Sequence, residues 1–305
     1  MKSVVTGGAG FIGSNLVDYL VSKGHKVIVL DNFSTGKRSN LSHNKKKNVK
    51  IVKIDLSKNM QLDKYFKGAK YVFHLAGLAS LLQSIKNPSK YFNSNVFGTL
   101  NVIQAARKAN IAKFIYAASA SCYGIPNRFP TNENAKINLM HPYAFTKWKA
   151  EELVMNWVKI YNFPAISLRL FNVYGPRFNT SGFYRSVFGV FIAQKKANKP
   201  LTIVGRGNQT RDFIHVKDLV QAMLKAALSK KKGKIYNLGS GKETKVNKIA
   251  KLIGGKKIYI SKKYVETNRS LANISKIKRD FNWQPRITIE EGVKKLLNFN
   301  KKITH

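Results

Sequence analysis

Short apolar runs alternate with helix-like apolar patterns through the first half of the chain. The first run begins at Val4 and ends in glycines, and apolar residues then recur at helical spacing as far as Leu20. Further strands are predicted at 27–30, 50–54, 71–75 and 114–118, with a long helix at about 95–106. Such alternation favours right-handed crossovers and a parallel sheet with helices on both faces. The predicted fold class is α/β, a Rossmann-type doubly wound parallel sheet with a smaller C-terminal α/β substrate region.

The pattern in the second half is less regular and predicts a division into two regions. An amphipathic helix is expected at 183–197, a strand at 201–204, and a further strand at 235–239 that rejoins the sheet. We therefore expect a dinucleotide-binding domain at 1–172, with a returning segment at about 212–240. Residues 173–305 would mostly form the substrate-binding region.

Composition fits a globular protein of a reducing compartment. The chain has 305 residues, of which 44% are hydrophobic and 23% charged. Its one cysteine, Cys122, excludes an intrachain disulfide. We find no signal-peptide pattern and no apolar stretch long enough to span a bilayer, so the expected location is cytoplasmic, with no membrane partner.

The net charge of +41 is the unusual feature of the composition. Such a charge is compatible with a nucleic acid, an anionic surface or an acidic ligand. The lysines, however, are scattered in short clusters, and no recognition-helix or RNA-binding motif accompanies them. We expect no specific nucleic-acid partner, and a basic nucleic-acid-binding protein is the alternative to an enzyme.

The glycines after the first strand form a G-x-G-x-x-G motif, in Gly8, Gly10 and Gly13. In a dinucleotide site the first glycine takes the turn, the second admits the pyrophosphate, and the third allows close packing of helix and strand. Asp31 ends the next apolar run, 18 residues after Gly13, where a carboxylate can accept hydrogen bonds from a ribose. A glycine turn without a ligand is the alternative.

A second candidate group consists of Ser119 after the fifth strand, and Tyr143 and Lys147 at the start of a helix. Residues at i and i+4 share a helix face, so the ammonium can favour the phenolate and make Tyr143 a base. Ser119 can carry a proton between a substrate hydroxyl and the phenolate. A solvated tyrosine–lysine pair is the alternative, because this spacing is common in helices. The sequence has no cluster with the spacing of metal ligands.

Together with further segments, these motifs resemble the extended short-chain dehydrogenase/reductases of the NAD-dependent epimerase/dehydratase family, and in particular nucleotide-sugar 4-epimerases. The matching segments are 6–13 (TGGAGFIG), 31–36 (DNFSTG), 74–77 (HLAG), 95–99 (NVFGT), 119–124 (SASCYG), 143–147 (YAFTK), 169–177 (RLFNVYGPR) and 209–216 (QTRDFIHV).

The resemblance implies a function, a cofactor and a set of site residues. The implied reaction is epimerisation at C4 of a UDP-sugar through a transient 4-keto intermediate, with NAD as the cofactor and a homodimer as the assembly. The catalytic residues would be Ser119, Tyr143 and Lys147. The implied NAD-binding residues are Gly7, Gly10, Phe11, Ile12, Gly13, Asp31, Asn32, Ser34, Thr35, Gly36, Asp55, Leu56, Leu75, Ala76, Gly77, Asn95, Tyr143 and Lys147. The implied substrate-binding residues are Ser119, Ser121, Tyr143, Asn172, Arg211, Arg269 and Ser270. A surface salt bridge between Arg211 and Asp212 is the alternative to a diphosphate contact.

Departures from the family pattern narrow the reaction and the sugar. Ala120 and Ser121 stand where the 4,6-dehydratases carry an acid, so the site lacks the group that would expel water. Ser270 aligns with a position that lines the space beside the sugar C2 group, and a small residue there leaves room for an N-acetyl group. UDP-N-acetylglucosamine and UDP-glucose are therefore favoured. A register shift would bring Arg269 there instead and favour UDP-glucuronate, and another reductase or dehydratase of the family is the remaining enzyme alternative.

Overall fold

The computed structural model describes residues 1–44, 47–58, 61–178, 186–261 and 267–302. The strands are β1 (Lys2–Thr6), β2 (Lys26–Asp31), β3 (Val49–Lys53), β4 (Tyr71–His74), β5 (Lys113–Ser119), β6 (Ala165–Leu170), β7 (Asn172–Tyr174), β8 (Leu201–Val204), β9 (Thr210–His215), β10 (Lys234–Leu238), β11 (Glu243–Lys245) and β12 (Lys257–Ile260). Seven of them form a parallel sheet in the order β10-β6-β5-β4-β1-β2-β3. The order reverses beside β1, where this class of sheet binds its ligand.

Helices cover both faces of the sheet. They are α1 (Phe11–Ser22), α2 (Asp63–Phe66), α3 (Leu81–Lys86), α4 (Pro88–Phe92), α5 (Gly98–Lys108), α6 (Pro142–Tyr161), α7 (Val187–Lys196), α8 (Val216–Leu228), α9 (Val246–Ile253), α10 (Ser275–Phe281) and α11 (Ile289–Lys302). A π-helical segment, Asn93–Phe97, joins α4 to α5. Short 3₁₀ turns lie at Arg38–Leu41 and Ala120–Tyr123.

The central strands read as continuous apolar runs because both of their faces are buried. Side chains alternate across a strand, so Val5 packs with α1 and α8 on one face while Val4 packs with α5 and α6 on the other. Ile115 and Phe114 of β5 divide in the same way. This two-sided burial confirms the predicted doubly wound α/β fold.

The remaining strands form two small sheets beside the central one. Their orders are β11-β9-β7 and β12-β8. Helices α7, α9 and α11 enclose a separate core there, in which Tyr174 stacks on Phe188 with ring centroids 4.7 Å apart. This arrangement brings residues 172, 211 and 243 together through β-pairing.

The predicted elements differ from the observed ones mainly at their ends. The first residues of the helix expected at 183–197, residues 183–185, lie outside the described residues, and α7 begins at Val187. The helix expected at 95–106 is α-helical only from Gly98, because its first residues form the π-segment. There the Asn95 carbonyl accepts a hydrogen bond of 2.6 Å from the Thr99 hydroxyl. Strands β6, β7, β9, β11 and β12 were not predicted. Strands β7, β11 and β12 have only three or four residues, whereas β6 and β9 have six and were missed although β6 belongs to the central sheet.

Candidate functional site

The glycine turn lies at the carboxyl end of β1, and its glycines are required by close backbone contacts. A Cβ on Gly13 would stand 2.1 Å from the Gly7 carbonyl oxygen, so only glycine fits at the third position of helix α1. The sequence analysis assigned the tight turn to Gly8, which is wrong. Gly7 has the left-handed conformation, with φ of +67°, and a Cβ there would meet Ala76 N at 2.7 Å. Gly8 is instead restricted by the Val29 side chain.

The first turn of α1 is open to an anion. Gly10 is its N-cap, and within the described structure no side chain caps this helix and no acid lies in its first turn. A Cβ on Gly10 would have close contact only with the Gly7 carbonyl, so the space in front of the turn is free. The amides of Phe11, Ile12 and Gly13 can therefore donate to a pyrophosphate, and this cradle fits a dinucleotide.

The segment after β2 is tied to the glycine turn through Asp31. Its Oδ2 accepts from Ala9 N at 2.9 Å and its Oδ1 from Phe33 N at 2.8 Å. Burial raises the pKa of Asp31, and these two backbone hydrogen bonds oppose the effect. Each carboxylate oxygen keeps a further lone pair, so Asp31 can still accept bonds from a ribose. Arg38, which follows in sequence, stacks on the Phe33 ring at 5.2 Å.

Hydrogen bonds connect the other predicted cofactor residues at this edge, which lie in the loops after β2 and β3. Asn32 Oδ1 accepts from Ser34 N at 3.0 Å, and Asn32 Nδ2 donates to Asp55 Oδ2 at 3.5 Å. The predicted residues Thr35 and Leu56 belong to the same two loops. Gly36 packs against the backbone of Ala9, which a Cβ would meet at 2.8 Å.

A buried hydrogen-bond chain connects the end of β1 with the π-segment. The Thr6 hydroxyl lies 2.6 Å from His74 Nδ1, and His74 Nε2 lies 2.9 Å from the Thr99 hydroxyl. Thr99 donates to the Asn95 carbonyl, so it must accept from His74, which fixes the proton on Nε2. Burial lowers the pKa of His74 to about 3, and the charge of Lys147 adds to this. The neutral ring therefore connects Thr6 to Thr99 and holds β1 and the start of α5 at a fixed distance.

Asn95 joins the loop after β4 to helix α6. Its amide accepts from Leu78 N at 2.7 Å, donates to the Leu78 carbonyl at 3.0 Å, and donates to Thr146 Oγ1 at 3.0 Å. The loop also contains the predicted residues Leu75, Ala76 and Gly77, and a Cβ on Gly77 would meet Asn95 Oδ1 at 2.9 Å. Asn95 thus holds this loop in register with the turn that carries Tyr143.

Lys147 packs on Tyr116 of β5, and Tyr143 is near enough to influence the same phenol electrostatically. The Lys147 Nζ stands 4.4 Å from the centre of the Tyr116 ring, and the Tyr116 hydroxyl donates to the Lys147 carbonyl at 3.2 Å. Burial raises the pKa of Tyr116, and the charges of Glu151 and Tyr143 act in the same direction. Lys147 is only 7% exposed, and burial lowers its pKa to about 7, although Glu151 opposes this. The ammonium is therefore poised to respond to a neighbouring phenolate.

Two serines, Ser119 and Ser121, lie at the end of β5 and in the turn that follows it. Ser119 is the last residue of the strand, and its hydroxyl accepts from Ser121 N at 3.2 Å, capping the 3₁₀ turn. The Ser121 hydroxyl oxygen is buried and has no hydrogen-bond partner among the described residues. A desolvated hydroxyl without a partner is costly. Rotation of the side chain toward a polar ligand would relieve that cost.

A buried polar network that the sequence analysis missed connects α6 with β6 and β10. Glu151 accepts from Arg169 Nη2 at 2.6 Å and from the Ser167 hydroxyl at 2.7 Å. Arg169 Nη1 also donates to the Tyr123 hydroxyl at 2.9 Å, and Tyr123 donates to Asn237 Oδ1 at 2.7 Å. No local pattern indicates this network, because its hydrogen-bonded partners are 16 to 114 residues apart in the sequence.

The predicted substrate residues of the second half gather around β9. Asn172 Nδ2 donates to the Asp212 carbonyl at 3.3 Å, and Arg211 pairs with Thr244 across the small sheet. The buried Asp212 carboxylate accepts from Ser240, Gly241 and Ala272, which fixes the segment that carries Ser270. The same segment contacts Thr131, whose N–H donates to the Leu271 carbonyl at 2.8 Å.

Arg269 forms an ion pair with Glu243. Its Nε and Nη2 donate to Glu243 Oε1 and Oε2, each at 2.8 Å, and its guanidinium lies 4.8 Å from the centre of the Phe129 ring. This bidentate pair neutralises the cation beside Ser270. Glu266, four residues before Ser270, lies outside the described residues.

Two negative findings apply to the described part of the chain. No three His, Cys, Asp or Glu residues there are grouped so that they could bind a metal ion. No helix in those ranges combines the length and the hydropathy of a membrane span.

Comparison with known proteins gives a family match over most of the chain and relatives over nearly all of it. The family described as "NAD dependent epimerase/dehydratase family" matches residues 3–239. The UDP-glucose 4-epimerase of Mycolicibacterium smegmatis is 32% identical over 98% of each chain. The UDP-glucuronate 4-epimerase of Thermodesulfobacterium geofontis is 33% identical over 98% of this chain and 96% of its own. The structure of a UDP-N-acetylglucosamine 4-epimerase from Methanobrevibacter ruminantium M1, in complex with UDP-N-acetylmuramic acid, superposes with a TM-score of 0.93 at 32% identity over 99% of this chain and 98% of that one.

Proposed function

The chain belongs to the NAD dependent epimerase/dehydratase family, and we propose that it interconverts the C4 epimers of UDP-sugars, with UDP-N-acetylglucosamine and UDP-glucose as substrates. The reaction class rests on relatives that are UDP-sugar 4-epimerases along their full length. These relatives are named for three different sugars at similar identity. The choice of sugar must therefore come from the residues of this chain.

The observation that carries the proposal is the buried Lys147 ammonium over the Tyr116 ring, one helical turn from the half-buried Tyr143, beside a glycine turn that fits a dinucleotide. NAD, when bound, supplies reversible removal of hydride from the sugar C4. Tyr143 would take the proton of the 4-hydroxyl, and the Lys147 ammonium would stabilise the phenolate. Ser119 would pass this proton from the sugar hydroxyl to the Tyr143 phenolate, which becomes the neutral phenol. Return of the hydride to the opposite face of C4 gives the epimer without net oxidation.

The cofactor would be held by the carboxyl edge of β1 to β4. The amides at the start of α1 would bind the pyrophosphate, and Asp31 would accept from the adenosine ribose. A carboxylate at this position repels the 2′-phosphate of NADP, which supports NAD. Arg38 offers no competing phosphate contact as long as it stacks on Phe33.

Ser119 and Ser121 support epimerisation over dehydration. The turn they form contains Ala120 and no acid, so elimination of the 6-hydroxyl has no general acid there. Ser121 carries the unpartnered hydroxyl described above and would donate to a sugar oxygen.

A neutral or N-acetylated sugar fits this chain better than a uronate. Arg269 is the cation that would favour UDP-glucuronate, and its guanidinium is already paired with both oxygens of Glu243. Ser270, by contrast, is small and half-buried in the segment fixed by Asp212. Substrate contacts by Asn172 and by Arg211, whose planar guanidinium suits a diphosphate, complete the proposed site.

Sugar competition tests the assignment. UDP-N-acetylglucosamine, UDP-glucose and UDP-glucuronate are offered together to the purified protein, and the epimers are separated by chromatography. We expect turnover of the first two, while exclusive turnover of UDP-glucuronate would refute the role of Ser270.

Filling the space beside Ser270 provides the matching variant test. Ser270→Tyr should lose turnover of the N-acetylated sugar by at least about 100-fold and keep that of UDP-glucose, because the phenol occupies the volume of the acetamide. Ser22→Tyr, at an exposed position at the end of α1, is the control and should alter neither. Equal losses for both sugars in Ser270→Tyr would show that the residue does not discriminate at C2.

We further propose that the protein is a homodimer that buries an apolar surface of α3, the π-segment and α6. Leu82, Ile85, Phe97 and Phe145 are exposed on these elements. Phe92 contacts both Phe97 and Phe145, with centroid distances of 5.6 and 6.5 Å, so the three phenylalanines form one patch, and helix α3 with Leu82 and Ile85 packs beside it on α4 and α6. Contiguous exposed apolar surface of this kind marks an interface. Light scattering of the wild type and of Phe97→Glu tests it, with a dimer and a monomer as the expected results.

A further inference from the structure

His141 occupies the N-cap of the helix that carries Tyr143 and Lys147. Its backbone is extended, with φ of −161° and ψ of 160°, and its Nδ1 accepts from Ala144 N at 3.1 Å. A nitrogen that accepts an amide proton carries no proton itself, so the neutral ring is protonated on Nε2. Burial lowers the pKa of His141, which maintains this form.

The same ring lies parallel to the phenol ring of Tyr143. The two ring centroids are 5.9 Å apart and the planes differ by 2°. This separation and offset geometry are within the range of favourable aromatic pairs. Pro142, at the first position of the helix, fixes the backbone between the two rings. The direction of Tyr143 is therefore constrained by its neighbour at i−2 as well as by its own helix.

The imidazole also lines an apolar cavity of about 540 Å³. The described residues that line it besides His141 are Pro88, Ser89, Phe92, Leu139, Met140, Pro142, Phe145 and Thr146. None of these carries a charge. Among the described residues, the neighbours of the ring are therefore the Tyr143 ring and uncharged side chains.

Capping alone does not explain a histidine at this position. Asn, Asp, Ser and Thr are the preferred N-cap residues, and each would satisfy the Ala144 amide with a smaller side chain. What a histidine adds is an aromatic plane two residues before the tyrosine. His141 therefore makes two separate contributions: its Nδ1 caps the helix, and its ring packs against the phenol of Tyr143.

We propose that His141 is a positioning residue for Tyr143, in which the imidazole plane fixes the direction of the phenol while Nδ1 caps the helix. This inference rests on the proposed function, in which Tyr143 takes the proton of the sugar 4-hydroxyl. A base acts efficiently only when its oxygen is within hydrogen-bond reach of that proton, and small misplacements cost large factors in rate. A fixed phenol raises kcat with little effect on sugar binding.

Three variants separate the ring from the cap. His141→Asn keeps a capping oxygen and removes the ring, His141→Phe keeps a ring and removes the acceptor, and His141→Ala removes both. We expect kcat to fall about 10-fold in His141→Asn and His141→Ala, with KM unchanged, and to stay within about 2-fold of wild type in His141→Phe. The melting temperature should fall by about 2 °C in His141→Phe and His141→Ala, which lose the cap, and hold in His141→Asn.

His215 offers a matched control. It is also an N-cap histidine, accepting from Lys217 N at 3.2 Å at the start of α8, but its ring contacts Tyr174 instead of Tyr143. His215→Asn should therefore leave kcat and KM unchanged. Circular dichroism of each variant confirms that the fold is retained before kinetics are compared.

The outcomes distinguish this inference from the function on which it rests. A wild type that turns over no UDP-sugar overturns both. If the wild type is active and Tyr143→Phe is not, a normal kcat in His141→Asn overturns the positioning role alone. Equal loss of kcat in His141→Phe and His141→Ala also overturns it, because the ring would then contribute nothing.

Discussion

At the residue scale, Lys147 holds an ammonium group where water has little access. Its Nζ faces the Tyr116 ring, and Glu151, one helical turn further on, is the carboxylate that opposes its deprotonation. With a pKa of about 7, its charge depends on what is placed beside it. A phenolate at Tyr143 and a bound pyrophosphate both favour the charged form. The lysine thus acts as a cation most strongly when the site is occupied.

Replacement of the proposed base tests this arrangement. Tyr143→Phe should retain the nucleotide sugar but lose at least about 100-fold in turnover, the usual scale for loss of a general base. Lys147→Met should lose a similar factor, with the remaining activity shifted to higher pH, because the phenol must then ionise without its cation. Turnover rates across pH 6 to 10 provide the measurement. Near-normal turnover in Tyr143→Phe would remove this tyrosine from the mechanism.

At the element scale, α6 carries three functional side chains on one face because they are spaced four residues apart. Tyr143 and Lys147 face the site, and Glu151 continues the row into the buried pair with Arg169. Both partners of that pair are nearly inaccessible, at 2% and 4% exposed. A buried charge whose partner is removed is strongly destabilising, whereas an apolar replacement of both partners is often tolerated.

Glu151→Gln should therefore lower the free energy of unfolding by about 3–5 kcal/mol, since it leaves the Arg169 charge buried without its counter-ion. The double variant Glu151→Leu with Arg169→Met should recover most of this loss. The Tyr123 hydroxyl keeps its bond to Asn237 in that variant. Urea unfolding measures the free energies of unfolding of the single and the double variant. A double variant less stable than Glu151→Gln would show that the network stabilises the fold through more than charge pairing.

Local spacing made part of the site predictable from the sequence. The glycine turn, Asp31 and the Tyr143–Lys147 pair each lie within one strand–turn–helix unit or one helical turn, so apolar periodicity determines their relative positions. Arg269 illustrates what spacing cannot provide. Its partner Glu243 is 26 residues away and meets it only because β11 pairs with β9. The Arg169–Tyr123–Asn237 contacts and the left-handed Gly7 likewise depend on tertiary packing.

At the scale of the whole molecule, buried neutral histidines make stability depend on pH. His74 and His215 are each 1% exposed, and burial lowers their pKa values to about 3 and about 4 from the usual 6.5. The unfolded chain binds protons below pH 6.5 that the folded chain does not. The free energy of unfolding should therefore fall as the pH decreases from about 6.5 to about 4, by up to about 1.4 kcal/mol per pH unit for each histidine.

Urea unfolding at pH 7, 6 and 5 measures this dependence. His215→Asn retains a capping oxygen and removes one titrating group, so its slope against pH should be smaller by one proton. Identical slopes in the wild type and His215→Asn would show that His215 does not titrate on unfolding.

The most direct test of the account follows a deuterium atom at C4 of the sugar. UDP-glucose or UDP-N-acetylglucosamine deuterated at C4 is incubated with the protein, and the epimer is analysed by NMR and mass spectrometry. Removal and return of hydride within one site predict a galacto-configured product that keeps its deuterium at C4, with no accumulation of reduced cofactor. A product that has exchanged this deuterium for solvent hydrogen, or no epimer from any UDP-sugar, would contradict it.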